Sequence, residues 1–513
     1  MARTANLVIK GLYRDSVQLM EATEKLKGFP GVEDGAVVMG TDSNKAVLRD
    51  LALLAGDGEG AGPNDIIIAV RATGDLEAVL RAAREMVLET RPTSGLRYGG
   101  VDEALRENPD ISYASISVPG RYVSGIASRL LDHGVNLFIF SDHVPLDVEV
   151  ELKRRAVEKG LLVMGPEAGT SIIAGVGFGF ANKVGRGPVG VVASAGSGIQ
   201  ELTTILDGFG IGVSHAIGVG GRDLTARVGG VMTAEALKRL ESDAGTRVIA
   251  LLAKQSDMDV VGRVLDDVNP SKPVITCLLG YDGWELKGYR HESTIHGLAL
   301  RICSMLEPSR YPSVVEGVER EVSTLMGAVS GPSHPRGFYC GGTLATETAF
   351  IWRKAGFKVY TNLGLDWVEK LRSPHDSVAA TIVDYGAEEF TEGRPHPIID
   401  PSLRNRRVSS ELEGSDVSAV LMDLIIGYGA PGDVVARTLA DLGLERIQGS
   451  RAKLVVRVVG SVSDPQWPQI AELRKRPLIM TSSNALAAAY GAACGLGDPE
   501  MLENLSRELI ASR

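Results

Sequence analysis

Short apolar runs alternate with amphipathic segments along the first hundred residues, and each run has the length of a single strand. The pattern predicts strands at 7–10, 32–39 and 65–70 and helices at 15–26, 44–54 and 76–88. Each strand is followed by a helix, and a polar connector at 91–108 comes next. The sequence therefore predicts a small N-terminal α+β module covering residues 1–105.

From residue 111 the pattern changes to short buried strands that alternate regularly with helices. The predicted strands are at 113–118, 136–140, 161–164, 189–193, 211–219, 248–252, 273–279, 380–384, 415–424, 452–459 and 477–480. Such alternation is typical of parallel, doubly wound α/β sheets. We therefore expect an α/β fold with a Rossmann-like domain at 106–183 and two flavodoxin-like domains at 184–325 and 326–513. The Pro- and Gly-containing segment 308–335 is the best candidate for a linker between the last two.

One strand–turn–helix motif occurs twice in this part of the chain. Its turn consists of small residues, and the first turns of its helix contain a glutamate. Residues 195–201 (AGSGIQE) align with 341–347 (GGTLATE), so that Gly196 matches Gly342, Ser197 matches Thr343 and Glu201 matches Glu347. Free backbone N–H groups at a helix N-terminus favour an anion. The pattern therefore predicts two phosphate-binding or anion-binding turns, built from Ser194, Gly196, Ser197, Gly198, Gly341, Gly342 and Thr343. The hydroxyls of Ser197 and Thr343 would serve equally well as helix N-caps.

Composition narrows the class of protein. The 513 residues are 44% hydrophobic and 23% charged, which is typical of a globular chain of several domains. A net charge of −10 without a basic run argues against a nucleic-acid partner. The four cysteines are widely spaced and form no CxxC pair, so we expect neither a metal site nor disulfides. With no signal-like start and no apolar run of membrane-spanning length, we expect a cytoplasmic protein.

A known family shares the order of motifs between residues 113 and 280. Gly165-Pro166-Glu167, the strand 189–193 with its helix, the turn 218–223 (GVGGRD) and 272–275 (KPVI) resemble the α subunit of succinyl-CoA synthetase. The whole chain is more specifically similar to the FdrA family of acyl-CoA synthetase-like proteins, through 13–17 (YRDSV), 39–41 (MGT) and 393–401 (GRPHPIIDP). The resemblance implies a CoA-binding-type domain at 106–183 and two synthetase-like ligase domains after it.

The resemblance also implies residue roles. In the synthetases, paired helices present their N-termini to a phosphohistidine that a glutamate orients, and Glu201 matches that glutamate. The synthetase loop that carries the phosphohistidine is replaced here by 287–294 (KGYRHEST), which places His291 near the motif but outside it. No phosphate-loop motif and no recognisable ATP-grasp module occur in the sequence. The sequence therefore does not predict a phosphohistidine step for this chain.

Three functions follow from the resemblance. FdrA-type proteins form part of a multi-subunit carbamoyltransferase acting on carbamoyl phosphate and oxamate, and this implies an acyl phosphate as substrate, other subunits as partners and a homo-oligomer. Alternatively, the chain is a component of an ADP-forming acyl-CoA synthetase, with CoA as a substrate, or a non-catalytic scaffold. We expect the first, with Glu201, Glu347, Lys254, Arg394 and His396 as catalytic candidates.

Further polar residues follow predicted strands or stand between prolines. Candidates for substrate binding are Gly220, Gly221, Asp384, Asp400, Ser483 and Asn484. Each has a simpler interpretation as well: Asp384 as a turn residue, Ser483 as a helix cap and Lys254 as a solvated lysine at a strand end. The run Arg394-Pro395-His396-Pro397 favours function, since the prolines fix the backbone around two groups that can carry positive charge.

Overall fold

The chain divides into two compact units. In the computed structural model the described residues are 2–12, 14, 16–88, 98–283, 285–391, 394–443 and 450–509. The first unit comprises residues 1–97 and 388–395, and the second comprises 98–387 and 396–513. Residues 91–97 of the expected connector and position 393 of the GRPHPIIDP motif lie outside the described residues, and Val101–Glu107 is a short helix.

The first unit contains the predicted strand and helix order. Its strands are β1 (Arg3–Ile9), β2 (Val32–Met39) and β3 (Ile66–Ala72), and its helices are Ser16–Lys27, Asp42–Asp50, Leu76–Leu88 and Glu388–Thr391, with a 3₁₀ turn at Gly56–Gly60. The strands form an antiparallel sheet in the order β1-β3-β2. Alternate residues of β3 enter two apolar layers, with Ile68 packed among residues such as Leu26 and Ile67 among residues such as Leu48.

The second unit begins with a small parallel sheet. Its strands β4 (Tyr113–Ile116), β5 (Asn136–Ile139) and β6 (Val163–Met164) are joined by Gly120–Tyr122 and Val123–Asp132 and then by Leu146–Glu158. The expected Rossmann-like domain reached residue 183, but the hairpin of β7 (Thr170–Ile173) and β8 (Val176–Gly179) belongs to the next sheet. It does so because β7 pairs antiparallel with β10 (Val213–Gly218) instead of extending the first sheet.

The next two sheets have the parallel centres that the strand pattern predicted. The eight-stranded sheet has the order β13-β14-β12-β11-β9-β10-β7-β8, with β9 (Arg186–Ala193), β11 (Val248–Ala253), β12 (Val274–Leu278), β13 (Glu285–Leu286) and β14 (Tyr289–His291). Its helices are Gly196–Gly208, Val231–Ser242, Met258–Val268 and Ile295–Leu306. Strands β9 to β12 run parallel, so their carboxyl ends lie at one edge.

The seven-stranded sheet is parallel throughout, in the order β17-β16-β18-β15-β19-β20-β21. Its strands are β15 (His334–Tyr339), β16 (Val359–Thr361), β17 (Glu369–Lys370), β18 (Ala380–Asp384), β19 (Val417–Ile425), β20 (Lys453–Val459) and β21 (Ile479–Thr481). Its helices are Gly342–Lys354, Ser402–Leu412, Val434–Leu442, Trp467–Gln469, Ile470–Arg474, Asn484–Leu496 and Pro499–Leu509.

The linker expected at 308–335 is wrong for most of its length. Residues Tyr311–Met326 form a helix of 16 residues that buries Val322 and Leu325. A proline in the first turn starts this helix without costing a hydrogen bond, since the first N–H groups of a helix have no intrahelical partner. Proline therefore marked a helix start here and not a flexible connection.

Candidate functional site

A small cleft lies at the carboxyl ends of three parallel strands. Ser194 follows β9, Gly220 and Gly221 follow β10, and Lys254 follows β11. These residues and Gly196 line one cavity of about 70 Å³, which the segment 167–170 completes. Five of the residues predicted from the sequence are thus brought together at the edge where α/β sheets bind ligands.

The polar groups of this cleft match an anion. Ser194 is only 2% exposed, and its Oγ has no hydrogen-bond partner among the described residues. The helix Gly196–Gly208 begins two residues later, and no side chain of the described residues caps its N-terminus. The half-buried Lys254 brings an ammonium group that has no recorded partner within the described part of the chain. An orphan hydroxyl, free helical N–H groups and a cation are chemically suited to phosphate or a similar anion.

The N-termini of the two repeated helices meet at this place. A Cβ on Gly341 would lie 2.5 Å from the Oγ of Ser197, and a Cβ on Gly198 would lie 2.9 Å from the Cγ2 of Thr343. Ala195 and Gly341 are the N-cap residues, and neither helix start has a side-chain cap. The alternative of Ser197 and Thr343 as N-caps is therefore wrong. Their side chains instead lie where the two helix starts touch.

Asp384 and Lys254 flank the start of the second repeated helix. A Cβ on Gly342 would lie 2.7 Å from Oδ2 of Asp384 and 3.3 Å from Nζ of Lys254. The other oxygen of Asp384, Oδ1, accepts a hydrogen bond of 2.8 Å from the N–H of Gly386. Lys254 comes from the eight-stranded sheet and Asp384 from the seven-stranded sheet, so both sheets contribute to this part of the site.

The two repeated glutamates lie inside the protein and not in the cleft. Glu201 is 0% exposed, pairs with Nε of Arg457 at 2.8 Å and accepts a hydrogen bond of 2.7 Å from the N–H of Asn484. Glu347 is also 0% exposed and accepts from the N–H of Ile295 at 2.7 Å and from Nδ2 of Asn484 at 2.8 Å. These contacts join the two ligase-type halves, which are the parts of the second unit built on the eight-stranded and the seven-stranded sheets. Both carboxylates are thus bonded within the protein, whereas the sequence predicted that they face the substrate.

Burial controls the protonation of this internal network. It raises the pKa of Glu347 to about 7, and it lowers the pKa of His296 to about 3. Nδ1 of His296 is hydrogen-bonded to the hydroxyl of Ser483 at 2.6 Å. The same hydroxyl caps the helix Asn484–Leu496, since it accepts a hydrogen bond from the N–H of Leu486. Ser483 therefore has the capping role, and the amide of Asn484 serves the network.

The proline-rich run contributes one residue to the neighbourhood of the site. His396 Nε2 would lie 3.0 Å from a Cβ on Gly386, and Oδ1 of Asp384 would lie 3.1 Å from the same point. Arg394 is exposed and groups with the first unit, together with residues 388–395. Asp400 accepts a hydrogen bond of 3.1 Å from the N–H of Ser402 at the start of the helix Ser402–Leu412. Of these three, His396 is the one that the structure places beside Asp384.

His291 is a core residue. It is 1% exposed, its Nδ1 lies 3.0 Å from the hydroxyl of Thr276, and burial lowers its pKa to about 4. Neither His291 nor His296 is among the residues that line the cleft.

Sequence reasoning missed Arg457. It lies on β20, 256 residues from Glu201 in the chain, in the otherwise largely apolar strand KLVVRVV. A single cation within a buried strand is a signal for a buried partner, because an isolated charge is costly there. Nothing in the sequence showed that its partner was the repeated glutamate.

The chain combines two regions that match described families. Residues 1–100 match "AllF, heavy metal-associated domain", and residues 338–493 match "CoA-ligase". The first hundred residues contain neither cysteine nor histidine, and no cluster of three or more possible metal ligands occurs within the described residues. Soft thiolate and imidazole donors are what such metals require, so the residues present do not fit a heavy metal. The chain is thus an α/β protein with a CoA-ligase-type region at residues 338–493.

Relatives identify the family. The chain is 34% identical over 531 residues to protein YahF of Escherichia coli (strain K12), covering 99% of both chains, and it belongs to the family of that protein. It is also 26% identical to the α subunit of succinate–CoA ligase [ADP-forming] from Methanothermobacter thermautotrophicus, over 36% of this chain and 65% of that one. Subunit SauD of the ADP-forming sulfoacetate-CoA ligase of Bilophila wadsworthia is 24% identical over 39% of this chain and 69% of that one. The last two are subunits of CoA ligases by name. They agree with the alternative function, which was a component of an ADP-forming acyl-CoA synthetase.

In the part of the chain that the structure describes, no helix has both the length and the apolar character needed to cross a membrane.

Proposed function

We propose that this chain is a subunit of an acyl-transferring enzyme of the acid–thiol ligase class, and that it handles an acyl phosphate whose phosphate group occupies the cleft of Ser194 and Lys254. The observation that carries the proposal is the buried hydroxyl of Ser194. Among the described residues it lacks a hydrogen-bond partner, and it lies beside an uncapped helix N-terminus and the ammonium group of Lys254, which has no ion-pair partner there. A phosphate oxygen would satisfy that hydroxyl, and the ammonium would offset the charge.

The named relatives support CoA as the acceptor in this proposal, because two of them are subunits of ligases that form CoA thioesters. In the proposed reaction the CoA thiolate attacks the acyl carbonyl carbon, a C–S bond forms, and the C–O bond to the phosphate breaks. The phosphate leaves with that bonding pair. Lys254 and the N–H groups of the helix Gly196–Gly208 stabilise the departing charge. A partner subunit supplies nucleotide chemistry, and oligomeric assembly remains part of the proposal.

The test uses acetyl phosphate and CoA with the purified full chain, alone and after addition of the natively co-purifying subunits. We expect formation of acetyl-CoA and inorganic phosphate without nucleotide, and a loss of about 10²-fold or more in Lys254→Met, since the cation acts on the leaving group. Ser194→Ala should weaken phosphate binding. Lys238→Met is the matched control, because Lys238 is exposed on the helix Val231–Ser242. Turnover that is equal in Lys254→Met and in the control would contradict the assignment.

A second candidate is transfer of the acyl group to a nitrogen acceptor, as in carbamoyl transfer from carbamoyl phosphate to oxamate. One observation favours it: His291 and His296 are buried in other contacts, and a reaction on a free acyl phosphate needs no phosphohistidine. The same cleft would bind the phosphate. Phosphate release from carbamoyl phosphate that depends on oxamate and not on CoA would select this candidate over the ligase.

A further inference from the structure

The imidazole of His396 is held from several sides. Its Nδ1 accepts a hydrogen bond of 3.3 Å from the N–H of Ile398, and its carbonyl accepts from the N–H groups of Ile399 and Asp400 at 2.8 and 3.0 Å. The ring packs against Phe180 with 5.4 Å between ring centroids. Prolines on both sides restrict the backbone further. The ring is thus fixed in place without a charged partner among the described residues.

These contacts determine the tautomer of His396. Because Nδ1 accepts a hydrogen bond, the proton of the neutral ring lies on Nε2. Burial lowers the pKa of His396 to about 4, so the ring is neutral at physiological pH. Its Nε2–H is therefore a fixed donor, and no acceptor for it is recorded within the described residues.

The Nε2 atom lies beside the site already described. The Asp384 carboxylate has one oxygen next to Gly342, which Lys254 also flanks, and its other oxygen next to Gly386, which His396 flanks. Gly386 keeps this space free, since a Cβ there would come within 3.0 Å of Nε2. Repulsion by the carboxylate of Asp384 disfavours a phosphate group at this end of the site. An uncharged carbonyl oxygen is instead a suitable acceptor for the Nε2–H of His396.

We propose that His396 donates a hydrogen bond from Nε2 to the carbonyl oxygen of the acyl group, so that the substrate lies with its phosphate beside Ser194 and Lys254 and its acyl end beside Asp384 and His396. This assignment rests on the proposed function. It gives His396 the role of a substrate-binding donor that selects acyl phosphates over inorganic phosphate. No proton leaves the ring in this role.

The test compares two ligands on the full chain by calorimetry: inorganic phosphate and acetyl phosphate. We expect acetyl phosphate to bind roughly three- to tenfold more tightly, which is the size of one hydrogen bond. In His396→Asn the amide oxygen can replace Nδ1 as acceptor, but no donor reaches the position of Nε2, so this preference should disappear while phosphate binding persists. In His396→Gln the amide nitrogen can reach the position of Nε2, so most of the preference should return.

The outcomes separate the two proposals. Failure of the wild-type chain to bind either ligand would overturn the phosphate cleft and the role of His396 with it. Binding of both ligands with an unchanged preference in His396→Asn would overturn the role of His396 alone. An equal loss of the preference for acetyl phosphate in His396→Gln and in His396→Asn would also overturn this role. The preference would then not depend on a hydrogen-bond donor at the position of Nε2. Thermal unfolding of both variants checks that they fold.

Discussion

At the scale of single residues, the protonation of Glu347 makes stability depend on pH. Its pKa is about 7 in the folded protein against 4.5 for an ordinary glutamate, because burial disfavours the charged form. The folded state therefore keeps a proton that the unfolded state releases between pH 4.5 and 7. Stability falls as pH rises through this window, by up to about 3 kcal/mol from this residue.

Glu347→Gln isolates this effect, since glutamine does not titrate. We expect the free energy of unfolding of the wild type to decline relative to that of Glu347→Gln as pH is raised from 4.5 to 7. Denaturant unfolding at several pH values measures the difference between the two proteins. A difference that is constant over the whole window would show that Glu347 is ionised throughout.

Arg457 illustrates the cost of a buried charge without its partner. Both carboxylate oxygens of Glu201 lie within 3.1 Å of its Nε, and the pair is nearly inaccessible to solvent. Arg457→Met leaves the carboxylate unpaired, and we expect a loss of about 3–5 kcal/mol in the free energy of unfolding. Adding Glu201→Gln should recover much of this loss.

The exposed Arg474→Met provides the control for removing an arginine, and we expect it to change stability little. Arg457→Met with the same stability as Arg474→Met would contradict a stabilising role for the buried pair of Glu201 and Arg457.

At the scale of elements, the contact between the two repeated helix starts requires glycine. Gly341 has φ −144°, which any residue adopts, so the constraint comes from Ser197 and not from the backbone. Gly341→Ala places a methyl group against Ser197 Oγ, and we expect a loss of about 1–3 kcal/mol in stability together with weaker phosphate binding. Because the clash is with one side chain, Ser197→Gly in the same protein should restore both properties.

Gly208→Ala is the matched control on the helix that carries Ser197. A Cβ there meets nothing within 4 Å, so this change should leave stability unaltered or raise it by about 0.5–1 kcal/mol. Failure of Ser197→Gly to rescue Gly341→Ala would contradict a direct contact between the helix starts.

Element order was predictable from the sequence because apolar runs and helical periodicity are local signals. The alternation of strand and helix predicted the parallel centres of both large sheets. The repeat of 195–201 at 341–347 predicted both helix starts. The hairpin of β7 and β8 could not be assigned, because its antiparallel pairing with β10 depends on residues about 40 positions away. The helix Tyr311–Met326 was not predicted because the prolines of the segment 308–335 favour a linker, although the one proline inside the helix lies in its first turn.

The candidate site was predictable in part for the same reason. Ser194, Gly220 and Lys254 each follow one of three neighbouring parallel strands of one sheet, so that their convergence follows from the fold. The burial of Glu201 and Glu347 does not follow from any local pattern. It depends on Arg457 and Asn484, which come from elements more than a hundred residues away.

At the scale of the whole molecule, the second unit holds its two ligase-type halves together by contacts other than the chain between them. Three contacts connect the half with the eight-stranded sheet to the half with the seven-stranded sheet. They are the packing of the helix Gly196–Gly208 against Gly342–Lys354, the ion pair of Glu201 and Arg457, and the hydrogen bond between His296 and Ser483. A protease site inserted at the exposed Gly331, between the helix Tyr311–Met326 and β15, allows a test of this cohesion.

After cleavage we expect the two fragments to elute together in size-exclusion chromatography and to bind inorganic phosphate as the intact chain does, because the buried contacts between the halves stay in place. Arg457→Met in the cleaved protein should weaken the association, since each fragment would then leave a buried charge or cavity at the contact. Fragments that separate in the otherwise unaltered protein would show that the covalent connection, and not the buried network, keeps the helix starts paired.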